Sequence, residues 1–155
     1  VLRSKTDIDA FRDFVTESEA RLRQALSATL GTQVGRDATA DALGYAWENW
    51  ERIASMDNPA GYVYTVGRDR GRKSLRRNRP FFYPTDPARL PWVEPSLPSA
   101  LEALPDRQRE VVVLLHCYQW SMSEVAELLE ITKSTVQNHA ERGIAKLRLA
   151  IGAES

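Results

Sequence analysis

Apolar residues recur along most of this chain at three- and four-residue steps, the period of helices with one buried face. Near the start, Phe11, Phe14, Val15, Leu22, Leu26 and Leu30 keep this spacing, with Asp7 placed to cap the helix and Gly31 to end it. A second helix is predicted from Asp37 to about Ile53, carrying Leu43, Trp47 and Trp50. A third should begin near Pro59, whose fixed φ suits a first turn, after Asp57-Asn58 as cap. It carries Tyr62, Val63, Val66 and Leu75 and runs out in basic residues. No stretch shows the alternation of a half-buried strand, and there is no internal repeat.

Six prolines (Pro80, Pro84, Pro87, Pro91, Pro95 and Pro98) fall between residues 80 and 98. At three- or four-residue spacing, the missing amide donors and fixed φ angles forbid a helix and break any strand. An extended, semi-stiff linker over 79–99 is expected, at about 3 Å per residue where it takes the polyproline form. It divides the chain into helical domains at 1–78 and 100–155. The second opens with Leu101, Leu104 and Pro105, followed by a helix through Val111, Leu114, Leu115 and Tyr118. Another helix carries Val125, Ala126, Leu128 and Leu129 behind Ser121 or Ser123 as cap. After a break at Glu130-Ile131-Thr132, Val136, Ala140, Ile144, Leu147 and Ile151 form one apolar stripe. Two helices around such a break, the second amphipathic, have the grammar of a helix-turn-helix. The fold class expected is all-α, in two linked domains.

Composition narrows the function more by exclusion than by assertion. The 155 residues are 43% hydrophobic and 27% charged, and 21 Lys and Arg balance 21 Asp and Glu. Neither a strongly basic coat for nucleic acid nor an acidic tail describes the whole chain. Cys117 is the lone cysteine, so no intramolecular disulfide or cysteine-based zinc site is expected. No apolar run is long enough to span a membrane and the start has no apolar signal core, so a cytoplasmic location is expected. His116 and His139 are too few for a catalytic set, Cys117 beside His116 makes no dyad on a helix, and no glycine-rich phosphate loop occurs. The four tryptophans suit core or linker anchors better than a cofactor box. Neither an enzyme nor a bound cofactor is expected.

Two features point to DNA. Opposite the apolar stripe of the last helix stand Ser134, Thr135, Asn138, Glu141 and Arg142, flanked by Lys133 and Gln137. Asn and Gln can pair bidentately with adenine and Arg with guanine in the major groove; a solvated helix face would show the same pattern. Separately, Arg68-Asp69-Arg70-Gly71-Arg72-Lys73-Ser74-Leu75-Arg76-Arg77-Asn78-Arg79 concentrates cations inside a neutral chain. Such segregation suits phosphate contacts, although a basic helix end is also favoured by the helix dipole alone.

The stretch Leu101-Glu-Ala-Leu-Pro-Asp-Arg-Gln-Arg-Glu-Val111, followed by Ser123-Glu-Val-Ala-Glu-Leu-Leu129 and Lys133-Ser-Thr-Val136, closely resembles region four of bacterial sigma factors. The type resembled is the small extracytoplasmic-function one. Asp37-Ala-Thr-Ala-Asp41 through Trp47, then Asp57-Asn-Pro-Ala-Gly-Tyr62, Arg68 and Arg76-Arg77, is similar to region two. The resemblance implies a sigma factor that binds the beta and beta-prime subunits of core RNA polymerase and directs it to promoters. It implies that Asp37 and Asp41 dock on the polymerase clamp. Asn58, Tyr62, Arg68, Arg72, Lys73, Arg76 and Arg77 would engage the minus-ten element. Lys133, Ser134, Thr135, Gln137, Asn138 and Arg142 would engage the minus-thirty-five element. It leaves room for an anti-sigma partner, and for a sigma-like regulator or decoy that does not bind core. Three positions depart from the pattern. Ala40 replaces a glutamine of the clamp contact, Asp69 places an anion beside the cations, and Glu130 replaces the turn glycine. Glu130 must accept left-handed geometry, at about 1 kcal/mol, or reshape the turn.

Overall fold

A computed structural model describes residues 3–75 and 96–152, which are helical and carry no strand among the described residues. The first helix, α1 (Lys5–Leu30), starts one turn ahead of the expected cap: Ser4 accepts the amide of Asp7, so Asp7 lies inside the first turn. There its carboxylate complements the helix dipole. Gly31, at φ 88°, ends α1 and turns directly into α2 (Thr32–Glu48). The second helix therefore begins before Asp37 and stops at Asn49, whose side chain bonds the carbonyl of Tyr45 at 3.0 Å. A short α3 (Trp50–Ala54) continues the segment that the periodicity had read as one helix to Ile53. The apolar spacing survives the break, which is why the pattern could not show it.

Asn58 caps α4 (Pro59–Leu75), its Oδ1 accepting from the amide of Gly61 at 3.1 Å. Helices α1, α2 and α4 pack around Leu22, Leu26, Leu30, Ala42, Ala46, Ile53 and Val63, all at 0% exposure. Gly35 sets how closely α2 can approach α1, because a Cβ there would stand 2.5 Å from the Ser27 Cα. At the other end Phe11 and Phe14 pack against Trp47 and Trp50, with centroids 5.1 to 5.3 Å apart. Arg3 closes that end by donating to the Trp47 and Glu48 carbonyls at 2.7 Å, where a cation also suits the end of α2. Trp47, Trp50 and Trp120 are therefore packing anchors, and Trp92 lies outside the described residues.

The second group begins with α5 (Leu97–Ala103), earlier than the expected end of the linker. Pro98 sits in its first turn, where no intrahelical amide is needed. The remaining linker residues, 79–95, lie outside the described residues. Helix α6 (Asp106–Val112) runs into a π-helical turn at Val113–Cys117. Ser121, rather than Ser123, caps α7 (Met122–Leu129) in a reciprocal capping box with Glu124. Glu130 then takes φ 56° and ψ 46°, so of the two expected alternatives it bears the left-handed geometry. Thr132 receives the Thr135 amide at 3.1 Å and opens α8 (Lys133–Gly152). The apolar stripe of α8 is buried at Val136, Ala140 and Leu147, against α6 and α7. The all-α architecture with a helix-turn-helix is thus present.

Candidate nucleic-acid interface

Helix α8 presents its polar face as the periodicity requires. Lys133, Ser134, Gln137, Asn138, Glu141 and Arg142 are exposed, whereas Val136 and Ala140 are buried one or two positions away. Thr135 is half-buried, and its hydroxyl lies 2.8 Å from that of Thr132, so it serves the helix start. Gln137 donates to Glu141 at 3.0 Å along the helix. Asn138 and Arg142 stand four apart on the outward face, the arrangement in which side chains reach adjacent base edges. Arg142 also helps, after burial and Arg107, to hold the His139 pKa below its ordinary value. Cationic charge therefore gathers on this side of the second group.

On α2, Asp37 and Asp41 are exposed on one face with Ala40 and Gly44 between and beyond them. Gln33 donates to Asp37 at 3.2 Å, and Arg70 of α4 approaches Asp41 at 3.9 Å. Both contacts are solvent-exposed and cost little to exchange for another cationic surface.

The residues expected at the minus-ten element do not form one surface. Asn58 is half-buried: besides capping α4, its Nδ2 donates to the Glu127 carbonyl of α7 at 2.8 Å. Arg68 turns inward, with its guanidinium 5.7 Å from the Tyr64 ring centroid and its Nε buried without a hydrogen-bond partner. Arg72 pairs with Asp106 of α6 at 3.8 Å. Lys73 and Asp69 are exposed, and Arg76 and Arg77 lie outside the described residues.

Tyr62 belongs to a second cluster that sequence reading did not find. Its hydroxyl lies 3.3 Å from that of Tyr45, and Arg52 donates to Tyr45 at 2.9 Å and to Tyr62 at 3.4 Å. The Arg52 guanidinium lies over the Tyr62 ring at 5.4 Å and Arg70 over the Tyr45 ring at 5.0 Å. Hydrogen bonds from Tyr45 and then Arg52 lower the Tyr62 pKa. Alternating rings and guanidinium groups can take stacked bases and backbone phosphates together. Tyr45, Arg52 and Tyr62 come from α2, α3 and α4, so no local spacing joins them. Among the described residues, no group of three His, Cys, Asp or Glu side chains converges to hold a metal ion, and no helix is long and apolar enough to cross a membrane.

Residues 96–147 match the family profile described as Sigma-70, region 4. The chain is 29% identical over 151 residues to the RNA polymerase sigma-E factor of Streptomyces antibioticus, covering 86% of this chain and 84% of that protein. Its fold is similar to that of CnrH, solved in complex with the cytosolic domain of CnrY. That likeness has a TM-score of 0.64 at 26% identity and covers 95% of this chain and 90% of the other. The fold is also similar to that of the sigma factor RpoE of Bartonella quintana, solved in complex with the anti-sigma factor NepR. Here the TM-score is 0.65 at 18% identity, over 94% of this chain and 99% of the other. With a helix-turn-helix whose second helix turns Asn138 and Arg142 outward, residues 96–147 match region 4 of the sigma-70 family, and the chain as a whole is similar in sequence and fold to sigma factors.

Proposed function

We propose that this chain is a sigma factor that binds core RNA polymerase and directs it to promoter DNA, where transcription starts. The observation that carries the reading is α8, a recognition helix buried on its apolar stripe and open at Lys133, Asn138 and Arg142. Residues 1–78 would form the unit that docks on core and opens the minus-ten element. Residues 79–99 would be its linker, and 100–155 the reader of the minus-thirty-five element. Asp37 and Asp41 offer the clamp a pair of exposed carboxylates on one helix face. The Tyr45, Arg52 and Tyr62 cluster offers stacking and phosphate contacts to an opened strand. The protein would perform no chemistry of its own, and would work in the cytoplasm, where the polymerase is. Relatives solved with CnrY and NepR support an anti-sigma partner for this chain as well.

The test is reconstituted transcription with core polymerase over a library of random promoter fragments. The expected result is a set of transcripts, dependent on this chain, that share two sequence elements at fixed spacing. Sequence-selective binding without any new transcripts would favour a regulator that does not engage core.

A further inference from the structure

Between the end of α1 and the start of α2 lies a cleft of about 180 Å3, lined by Arg23, Gln24, Ser27, Thr32, Arg36 and Tyr118. Every one of these side chains can donate a hydrogen bond, and none is acidic. Ser27 is only 5% exposed, yet its hydroxyl has no hydrogen-bond partner among the described residues. A hydroxyl buried without a partner costs free energy, so its presence calls for an acceptor from outside the chain. Gly35 of α2 gives that hydroxyl its room, because a Cβ there would stand 2.7 Å from the Ser27 Oγ. Arg36 is exposed and has no carboxylate partner among the described residues. Arg23 pairs with Glu19 at the rim through one of its nitrogens. Gln24 accepts from the Trp120 indole through Oε1 at 2.8 Å, which leaves its Nε2 as the donating end. Burial and then Cys117 push the Tyr118 hydroxyl up to about 12 against the pull of Arg23 and Arg36. At neutral pH it is therefore a protonated donor.

We propose that this cleft is a binding site for a phosphoryl dianion, carried by a phosphate monoester or present as inorganic phosphate. Two guanidinium groups supply the charge, in the fork geometry that matches phosphate oxygens. Donor number decides against a carboxylate ligand. A carboxylate accepts through two oxygens, whereas a phosphoryl group turns three strong acceptor oxygens toward the donors around it. The surroundings decide against a DNA backbone. A strand tracks across a surface, and α2 beyond Arg36 carries the exposed carboxylates of Asp37 and Asp41. A backbone diester has also given one oxygen to its second ester bond. A terminal phosphoryl group enters end-on and brings all its acceptors to the depth of Ser27.

The full-length chain is titrated with inorganic phosphate and with adenosine 5′-monophosphate at constant ionic strength, read by calorimetry and by thermal melting. Wild type should bind at least one of them saturably, and its melting temperature should rise with that probe, because a ligand of the folded state stabilises it. Tighter binding of the nucleotide supports the site with an ester as the source, and tighter binding of phosphate supports it with the free ion. Arg36→Gln should weaken binding by about tenfold or more, since a charge-assisted pair is lost. Ser27→Ala separates a ligand contact from a structural one by the sign of its effect. Without phosphate it should melt no lower than wild type, because the hydroxyl removed has no partner in the fold. With phosphate it should gain less, from binding about tenfold weaker. A lower melting temperature without phosphate, together with unchanged binding, would make the hydroxyl structural and overturn the proposal. Wild type that binds neither probe would overturn it as well, as would binding that both variants leave unchanged while their helicity is intact. A mixed-sequence DNA duplex is the last arm. If both variants lose affinity for it as much as for the two probes, the cleft is a backbone contact and the monoester assignment is wrong.

Discussion

The hydroxyl of Tyr64 on α4 meets the carboxylate of Glu110 on α6 although the two lie 46 positions apart, and each is only 1% exposed. Neither group is satisfied by its own helix neighbours alone. Arg107 reaches Glu110 at 3.4 Å from the same helix, and Thr29 lies 3.3 Å from the Tyr64 hydroxyl. A buried polar network of this kind fixes one register between the two helical groups, because sliding would leave a carboxylate unpaired away from water.

Glu110 gives that network a pH dependence. Burial raises its pKa above 4.5, while Arg107, Tyr64, Thr29 and Arg68 pull it back down without cancelling the rise. The folded state thus holds the proton more tightly than the unfolded chain. Its contribution is full below 4.5 and is lost as pH rises through the elevated folded value. His139 acts in the opposite sense: burial, Arg107 and Arg142 lower its pKa, so stability falls as pH drops through 6.5. Urea unfolding should therefore compare wild type with Glu110→Gln at each pH. The variant should lack the loss above 4.5, and parallel curves would remove Glu110 as its source.

Glu130 bears left-handed geometry at φ 56° in the turn between α7 and α8. Glycine occupies that region without a Cβ penalty, so Glu130→Gly should raise unfolding free energy by about 1 kcal/mol. Denaturant melts give the answer directly. A loss of stability would mean that the Glu130 side chain, which packs beside Gly61, contributes more than its backbone strain costs.

Asp41→Lys should abolish co-purification with core polymerase while helicity is unchanged. The carboxylate is exposed and its contact with Arg70 spans 3.9 Å, so the fold loses a surface pair worth at most about 1 kcal/mol. Undiminished co-purification would take Asp37 and Asp41 out of the interface.

Asn58→Ala in holoenzyme should reduce permanganate reactivity of opened thymines while duplex binding persists. Extruding a base costs a few kcal/mol, and a polar side chain at the pocket offsets part of it. The helix cap is lost as well, at about 1 kcal/mol, so Asn58→Ser, which can still cap, serves as the control. Reactivity equal to wild type in both variants would dismiss Asn58 from strand opening.

Lys133 and Arg142 should part ways on single-base promoter variants. Lys133→Ala should weaken binding to all sequences alike and reduce the salt slope by about one. Arg142→Ala and Asn138→Ala should cost about 1–3 kcal/mol on the preferred element and less on others. Uniform weakening by Arg142→Ala would make it a phosphate contact.

The helices, their stripes and the turn at Glu130 were legible along the chain because each depends on residues within a few positions of one another. Periodic burial places Asn138 and Arg142 outward once Val136 and Ala140 face inward, and no distant residue is needed to decide it. The break at Asn49 was hidden because the apolar spacing continues through it. The orientation of Arg68 and the partners of Asn58, Arg72 and Tyr62 were out of reach for a different reason. A cation at a helix end meets solvent, phosphate or a carboxylate according to which surface arrives opposite it. For Arg72 that surface is α6, and for Asn58 it is α7. Pairings such as Tyr64 with Glu110 have no sequence period, because folding brings together helices whose separation along the chain leaves no local trace.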